Sequence, residues 1–265
     1  MTVPLSPEAD PRSHYVRSPA AWVSGGSDVG LKHTTNQDAM CLAVKPGDAA
    51  MAVLAVADGV STTAGAEVAS MVAAESACRT LSAGVEAAED PGPLFESAFE
   101  AAHAAIIAAH PDTEPSACTL ITGIVAPNRL WVASVGDSRG YWLGDDGACE
   151  LLSTDDSMAQ ARIMLGIPRA EAEQSSHSIT KWLGRDATNV VPEVTRFDPP
   201  GGGWLLLCSD GLWNYASSPE QMAALLDSCL QRTASPEELV EALVTWAKAE
   251  GGHDNITVVV ARVQG

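Results

Sequence analysis

Four aspartates stand at the ends of short apolar runs. Asp58 follows Ala52 to Ala57, Asp137 follows Leu130 to Val135, Asp210 follows Leu205 to Cys208, and Asp254 stands just before Ile256. Runs this short and this rich in Val, Leu and Ile suit buried strands. If the strands are neighbours in one core, their ends converge and the acids form a patch of like charge, which is costly unless cations occupy it. Oxygen donors without a His or Cys cluster favour hard divalent ions, Mg²⁺ or Mn²⁺, over zinc. A pair of such ions activates water and neutralises the charge of a phosphate. Asp58-Gly59 and Asp210-Gly211 are also ordinary turn dipeptides, so each alone says little. The tie of all four acids to strand ends is what carries the reading.

The elements that must position these acids are visible in the hydrophobic periods. Phe95, Ala98, Phe99, Ala102 and Ile106 recur at helical spacing, and Val68, Met71 and Val72 begin a similar stripe. Ser218-Pro219-Glu220-Gln221 and Ser235-Pro236-Glu237-Glu238 each offer a capping Ser, a Pro at the first helical position and Gln or Glu three residues after the Ser. Leu239, Leu243 and Trp246 form the apolar face of the second of these helices. Strands joined by a hairpin turn, as at Gly144 to Gly147, and elsewhere by helices predict a layered α+β fold rather than a strict alternating barrel.

Composition sets limits on function. The chain has 265 residues, 46% of them hydrophobic and 18% charged, enough for one sizeable core. Its formal net charge of −19 argues against a phosphate-backbone binder and against anionic membranes. No uninterrupted apolar run reaches the roughly 20 residues needed to span a bilayer. Residues 1–20 contain Pro4, Pro7, Pro11 and Pro19 and no signal-peptide core, and read as a flexible lead-in to a cytoplasmic protein whose domain spans 21–265. The six cysteines are scattered, without zinc-site spacing, and read as reduced thiols, with Cys118 and Cys208 in strand-like runs.

The ordered motifs resemble the metal-dependent type 2C protein phosphatases, in particular the bacterial type with a stand-alone catalytic domain. Val56-Ala57-Asp58-Gly59 is similar to the first metal motif of that family, Val135-Gly136-Asp137-Ser138-Arg139 to its hairpin, Cys208-Ser209-Asp210-Gly211-Leu212 to its Ser-Asp-Gly motif, and Gly252-His253-Asp254-Asn255-Ile256-Thr257 to its closing Asp-Asn motif. Thr119-Leu120 and Ile179-Thr180-Lys181-Trp182-Leu183-Gly184 match segments between them. The matches keep family order from about Ser27 to Val263. The resemblance implies a four-layer α-β-β-α sandwich with two central, mainly antiparallel sheets. It implies that Asp58 bridges two metals, that the Gly59 carbonyl oxygen helps hold the first, that Asp210 and Asp254 hold the second, and that Asp137 helps hold a third. Asp38 would accept from metal-bound water. The implied reaction is direct hydrolysis of phosphoserine or phosphothreonine by metal-activated water, with two or three Mn²⁺ or Mg²⁺ ions. The implied partners are phosphorylated proteins, targets of a Ser/Thr kinase.

Some positions depart from the family pattern. His33-Thr34-Thr35-Asn36-Gln37-Asp38 stands where the family has Arg-x-x-Asn-Glu-Asp. His33 thus takes the place of the phosphate-gripping Arg and is a candidate both for substrate contact and for the general acid. Gln37 removes a carboxylate near the first metal. Val60-Ser61-Thr62-Thr63 follows Gly59 and supplies no His. Asp155 reads as structural, Arg139 as the partner of a backbone or carboxylate group, and His253 as a loop residue beside the site. The tryptophans read mostly as core, with Trp213 able to border the site. Residues 158–178 correspond to the family's flap. The chain ends directly after the last strand motif, which predicts a stand-alone catalytic domain. Two rival readings are a pseudo-phosphatase acting as a binding module and a phosphatase of small esters. Oligomeric state is left open.

Overall fold

The computed structural model describes residues 12–45, 51–85, 91–109, 115–172 and 178–265. In chain order the elements are β1 (His14–Ala20), β2 (Val23–Asp28), β3 (Asp38–Lys45), β4 (Met51–Asp58), α1 (Ala66–Gly84), α2 (Gly92–Ala109), β5 (Ala117–Cys118), β6 (Leu120–Ala126), β7 (Arg129–Val135), β8 (Arg139–Gly144) and β9 (Cys149–Leu151). There follow α3 (Met158–Met164), α4 (Arg169–Ala172), β10 (Leu183–Gly184), β11 (Glu193–Phe197), β12 (Gly203–Cys208), α5 (Asp210–Trp213), α6 (Pro219–Leu230), α7 (Pro236–Glu250) and β13 (Ile256–Val263). Among the described residues there are two large sheets, one of six strands in the order β1-β2-β13-β12-β8-β9 and one of five in the order β11-β7-β6-β4-β3, with β5 and β10 forming a separate two-stranded sheet, and every pairing is antiparallel.

The period-2 alternation of the buried strands builds the layers. Along β12, Leu205 and Leu207 enter the core between the sheets, while Leu206 and Cys208 face the helical layer. In β4, Leu54 and Val56 point inward and Val53, Ala55 and Ala57 face α1 and α2. Both faces of these strands are thus covered, which is why they read as continuous apolar runs rather than alternating ones. Each fully buried Leu or Ile contributes about 1.5–3 kcal/mol of transfer free energy before entropy is charged against it. The outer layers are α1 with α2 on the five-stranded sheet and α6 with α7 on the six-stranded one. The expected four-layer sandwich is the fold observed.

The caps form as their chemistry predicts, with one difference. At α6 the Ser218 hydroxyl accepts from the Gln221 N–H and the Gln221 side chain returns to the Ser218 N–H, a complete capping box. At α7 Ser235 accepts from the Glu238 N–H, but the Glu238 carboxylate takes the N–H of Ala234 instead.

The expected flexible lead-in needs correction at its C-terminal part. Residues 14–20 are strand β1, paired with β2 and joined to it through Ala21 and Trp22. This is an edge strand with mostly exposed side chains and Pro19 inside it, so it carries no apolar run to announce it. Residues 1–11 lie outside the described residues. In the segment 158–178, expected to correspond to the family's flap, α3 is capped by the preceding Ser157, which accepts from the Gln160 N–H, and Met164 and Leu165 are 77% and 83% exposed. Residues 173–177 of that segment lie outside the described residues. Among the described residues no helix is long and apolar enough to cross a membrane.

Candidate active site

The strand ends that carry the acids meet at one end of the sandwich. Asp38 opens β3 and Asp58 closes β4, and the antiparallel register sets them directly opposite one another. Asp210 begins α5 immediately after β12, Asp254 precedes β13, and Asp137 sits in the turn between β7 and β8. Burial pushes the Asp58 carboxyl well above its usual range, and Asp38, Asp210, Asp137 and Asp254 push it further in the same direction. Burial likewise raises Asp137, with Asp210 and Asp155 adding to it, up to about 8. Asp38 is raised by burial and by Asp254 and Asp210, against the hydrogen bonds of Ser209 and Thr257.

These residues fit hard divalent ions. The donors are carboxylate oxygens whose mutual repulsion needs positive charge. Among the described residues no group of three or more acidic, His or Cys side chains is already gathered around one metal position. Gly59 is required by close approach rather than by its dihedrals. A Cβ there would lie 2.6 Å from the carbonyl oxygens of both Gln37 and Ala66, so only glycine lets the turn after Asp58 pass between β3 and α1. At Gly136 the reason is backbone conformation, with φ at +105°.

A polar network that the motifs did not reveal holds the acids. The Ser209 hydroxyl donates to Asp38 Oδ2 at 2.7 Å and accepts from the Thr257 N–H at 3.0 Å. The Thr257 and Ser27 hydroxyls are 2.7 Å apart, and Asn36 donates to Ser27 at 2.9 Å. Thr119 donates its N–H to the Asp58 carbonyl at 2.8 Å, and its hydroxyl lies 2.9 Å from that of Ser138 in the hairpin. Asn255 accepts from the Gln37 N–H at 2.7 Å and donates to the carbonyls of Val29 and Thr35, fixing the loop that bears His33. The Arg12 guanidinium donates to the carbonyls of Asp38 and Glu67, tying β3 to α1. The sequence showed only that Ser209 and Asn255 stand next to motif acids; the fold buries them, to 0% and 2% exposed, and so requires partners for their polar groups.

His33 lies at the rim, its Nε2 3.3 Å from Asp254 Oδ1. Arg139 pairs with Asp155 through two nitrogens, at 2.7 and 2.9 Å, donates to the Ser217 carbonyl, and lies 3.7 Å above the Trp213 ring. Both Arg139 and Asp155 thereby act structurally, and Trp213 packs beneath that pair. His253 stacks on Tyr215 with ring centroids 6.4 Å apart.

Residues 30–248 match the family model for protein phosphatase 2C. The chain belongs to that family. Among protein phosphatase 2C relatives, it is 33% identical over 247 residues to the serine/threonine protein phosphatase PstP of Mycobacterium tuberculosis, covering 89% of this chain and 44% of PstP. It is 35% identical over 150 residues to the serine/threonine phosphatase stp of Listeria innocua, covering 54% of this chain and 55% of that protein. The chain thus spans about half the length of the curated relatives it matches. The crystal structure of the PstP catalytic domain in complex with two manganese ions superposes with a TM-score of 0.71 at 30% identity, covering 94% of this chain and 99% of that one. The protein phosphatase 2C fold and the expected layer order therefore agree.

Proposed function

We propose that the chain is a metal-dependent protein serine/threonine phosphatase that hydrolyses phosphoserine and phosphothreonine in proteins modified by a Ser/Thr kinase. The observation that carries this reading is the convergence of Asp58 with Asp38, Asp137, Asp210 and Asp254, each raising its carboxyl toward the protonated state. Mn²⁺ or Mg²⁺ bound there would supply water acidified toward neutrality and charge to offset the phosphate. Asp58, which interacts with each of the other acids, would bridge two ions, with the Gly59 carbonyl beside the first. Asp210 and Asp254 would hold the second, and Asp137 a third.

Asp38 has a different task. Its carboxylate is anchored by Ser209 and is the acceptor toward which a proton from water would move. His33, beside Asp254 at the rim, would meet the phosphate of the substrate. The buried Ser209–Thr257–Ser27–Asn36 chain keeps the acceptor in place.

The deciding experiment is Mn²⁺-dependent phosphate release from a phosphothreonine peptide, with chelator and the Asp58→Ala variant as controls. Turnover lost in both controls supports the reading. A folded protein that binds Mn²⁺ in calorimetry and releases no phosphate overturns it in favour of a binding module. Faster turnover of a small aryl phosphate than of any phosphopeptide reassigns the substrate to small esters.

A further inference from the structure

Alternation along β3 divides its side chains between two environments. Met40 and Leu42 enter the core between the sheets, whereas Ala39, Cys41 and Ala43 face α1. The helix meets them with Ala69, Ala73, Ala74, Ala77 and Cys78, small residues that let it lie close to the sheet. Cys78 is 1% exposed, while Cys41 is only partly buried, because β3 is the edge strand of its sheet.

Both thiols belong to one packed cluster, Cys78 within it and Cys41 against its edge, and each perturbs the titration of the other. The interaction with Cys78 holds Cys41 below the usual thiol range, Arg79 assisting and burial and Glu75 opposing. The same interaction raises Cys78, and burial adds to it. The other cysteines are differently placed. Cys118 and Cys208 are 0% exposed and pushed up by burial, as is buried Cys229. Cys149 is partly exposed but is also raised, by desolvation and by Glu220. Reactivity toward oxidants follows thiolate character and access together, and Cys41 alone among the six combines the two.

We propose that Cys41 and Cys78 form a peroxide-sensitive dithiol that closes to an intramolecular disulfide, tying the edge strand β3 to α1. The Cys41 sulfur attacks one oxygen of hydrogen peroxide. The O–O bond breaks, and the departing hydroxide takes up a proton to become water, leaving Cys41 as a sulfenic acid. Cys78 then loses its proton, and its sulfur displaces the sulfenic hydroxyl, which leaves as a second water. Two thiols are oxidised by two electrons and one peroxide is reduced to two waters. An added dithiol reductant reverses the reaction. None of these steps depends on the phosphatase reading.

The test uses the full chain, reduced and held in chelator, treated with a small excess of hydrogen peroxide. It is then unfolded, alkylated without reduction and mapped by mass spectrometry. The expected result is loss of two of the six alkylatable thiols, a cross-linked peptide pair containing Cys41 and Cys78, and full reversal by dithiothreitol. In Cys78→Ala, a substitution that suits a helix among alanines, no cross-link forms and a 1,3-dione traps the sulfenic acid at Cys41. Should that variant not fold, the wild-type map decides alone. Oxidation of Cys149 ahead of Cys41, a cross-link joining any other pair or two chains, or six intact thiols at a dose that oxidises free cysteine would each overturn the proposal.

Discussion

Asp38 and Asp58 are partners in the β3–β4 ladder, the first residue of one strand set against the last of the other. Backbone pairing fixes two carboxylates side by side at a strand end. Neither can move away without breaking the ladder that buries Leu42, Leu54 and their neighbours. Folding energy from the core therefore holds an arrangement that electrostatics opposes. In the proposed reading, this is how the carboxylates are kept ready for metal ions.

The carboxyls of Asp38, Asp58 and Asp137 are all raised, so without metal the folded chain binds more protons than the unfolded chain once pH exceeds the ordinary carboxyl value. Stability then falls as pH rises from about 4 through the raised folded-state values. Chelator-treated protein should melt at a lower temperature at about pH 8 than at about pH 6, and Mn²⁺ should narrow the difference. Metal binding near neutral pH should release protons, measured by calorimetry in buffers of different ionisation heat. Binding without proton release would contradict the clustering.

Ser209→Ala removes the donor to Asp38 Oδ2 and the acceptor of the Thr257 N–H. Leaving buried groups unpaired costs about 1–3 kcal/mol, and loss of an outer support of this kind lowers activity about 10- to 100-fold. Denaturant melts and phosphopeptide kcat should both register it. A fall in stability with unchanged kcat would show that Asp38 needs no anchoring.

Asp210→Asn keeps the side-chain shape and removes one charge. Activity should fall at least about 100-fold, since a ligand matters no less than its outer supports, while circular dichroism stays that of the wild type. Turnover near the wild-type rate would remove Asp210 from the site.

His14 tests the corrected N-terminus. Burial alone would lower its pKa, but hydrogen bonds to Glu241 and Asp28 outweigh this and raise it above the ordinary 6.5. A raised histidine stabilises the fold fully below its unfolded value and loses that contribution as pH rises through the folded value. His14→Gln should therefore lower the melting temperature more at about pH 5.5 than at about pH 8.5. An equal effect at both pH values would mean that β1 is held without the charge.

Local chemistry in the sequence determined much of this protein. Asp58, Asp137, Asp210 and Asp254 were legible because each interrupts or borders a run whose burial is encoded in consecutive residues. The Ser218 and Ser235 caps were legible because a helix start is settled within four residues. The hydrophobic periods pointed to a layered α+β fold, and the ordered motifs carried the family resemblance that implied four layers. Other features were decided only by the tertiary structure, because they join residues whose separation in the chain bears no relation to their separation in space. Ser209 reaches Asp38, and Asn255 holds Gln37, across the packing of one sheet on the other, since β3 belongs to the five-stranded sheet and β12 and β13 to the six-stranded one. His33 takes Asp254 as its neighbour because the loop after β2 folds back over the start of β13. Strand β1 exists because β2 offers it an open edge, a reason that lies in the partner rather than in the seven residues themselves. The meeting of Cys41 with Cys78 depends in the same way on which face of an edge strand the first helix covers. Periodicity records whether a residue is buried, while sheet register and layer order determine against what.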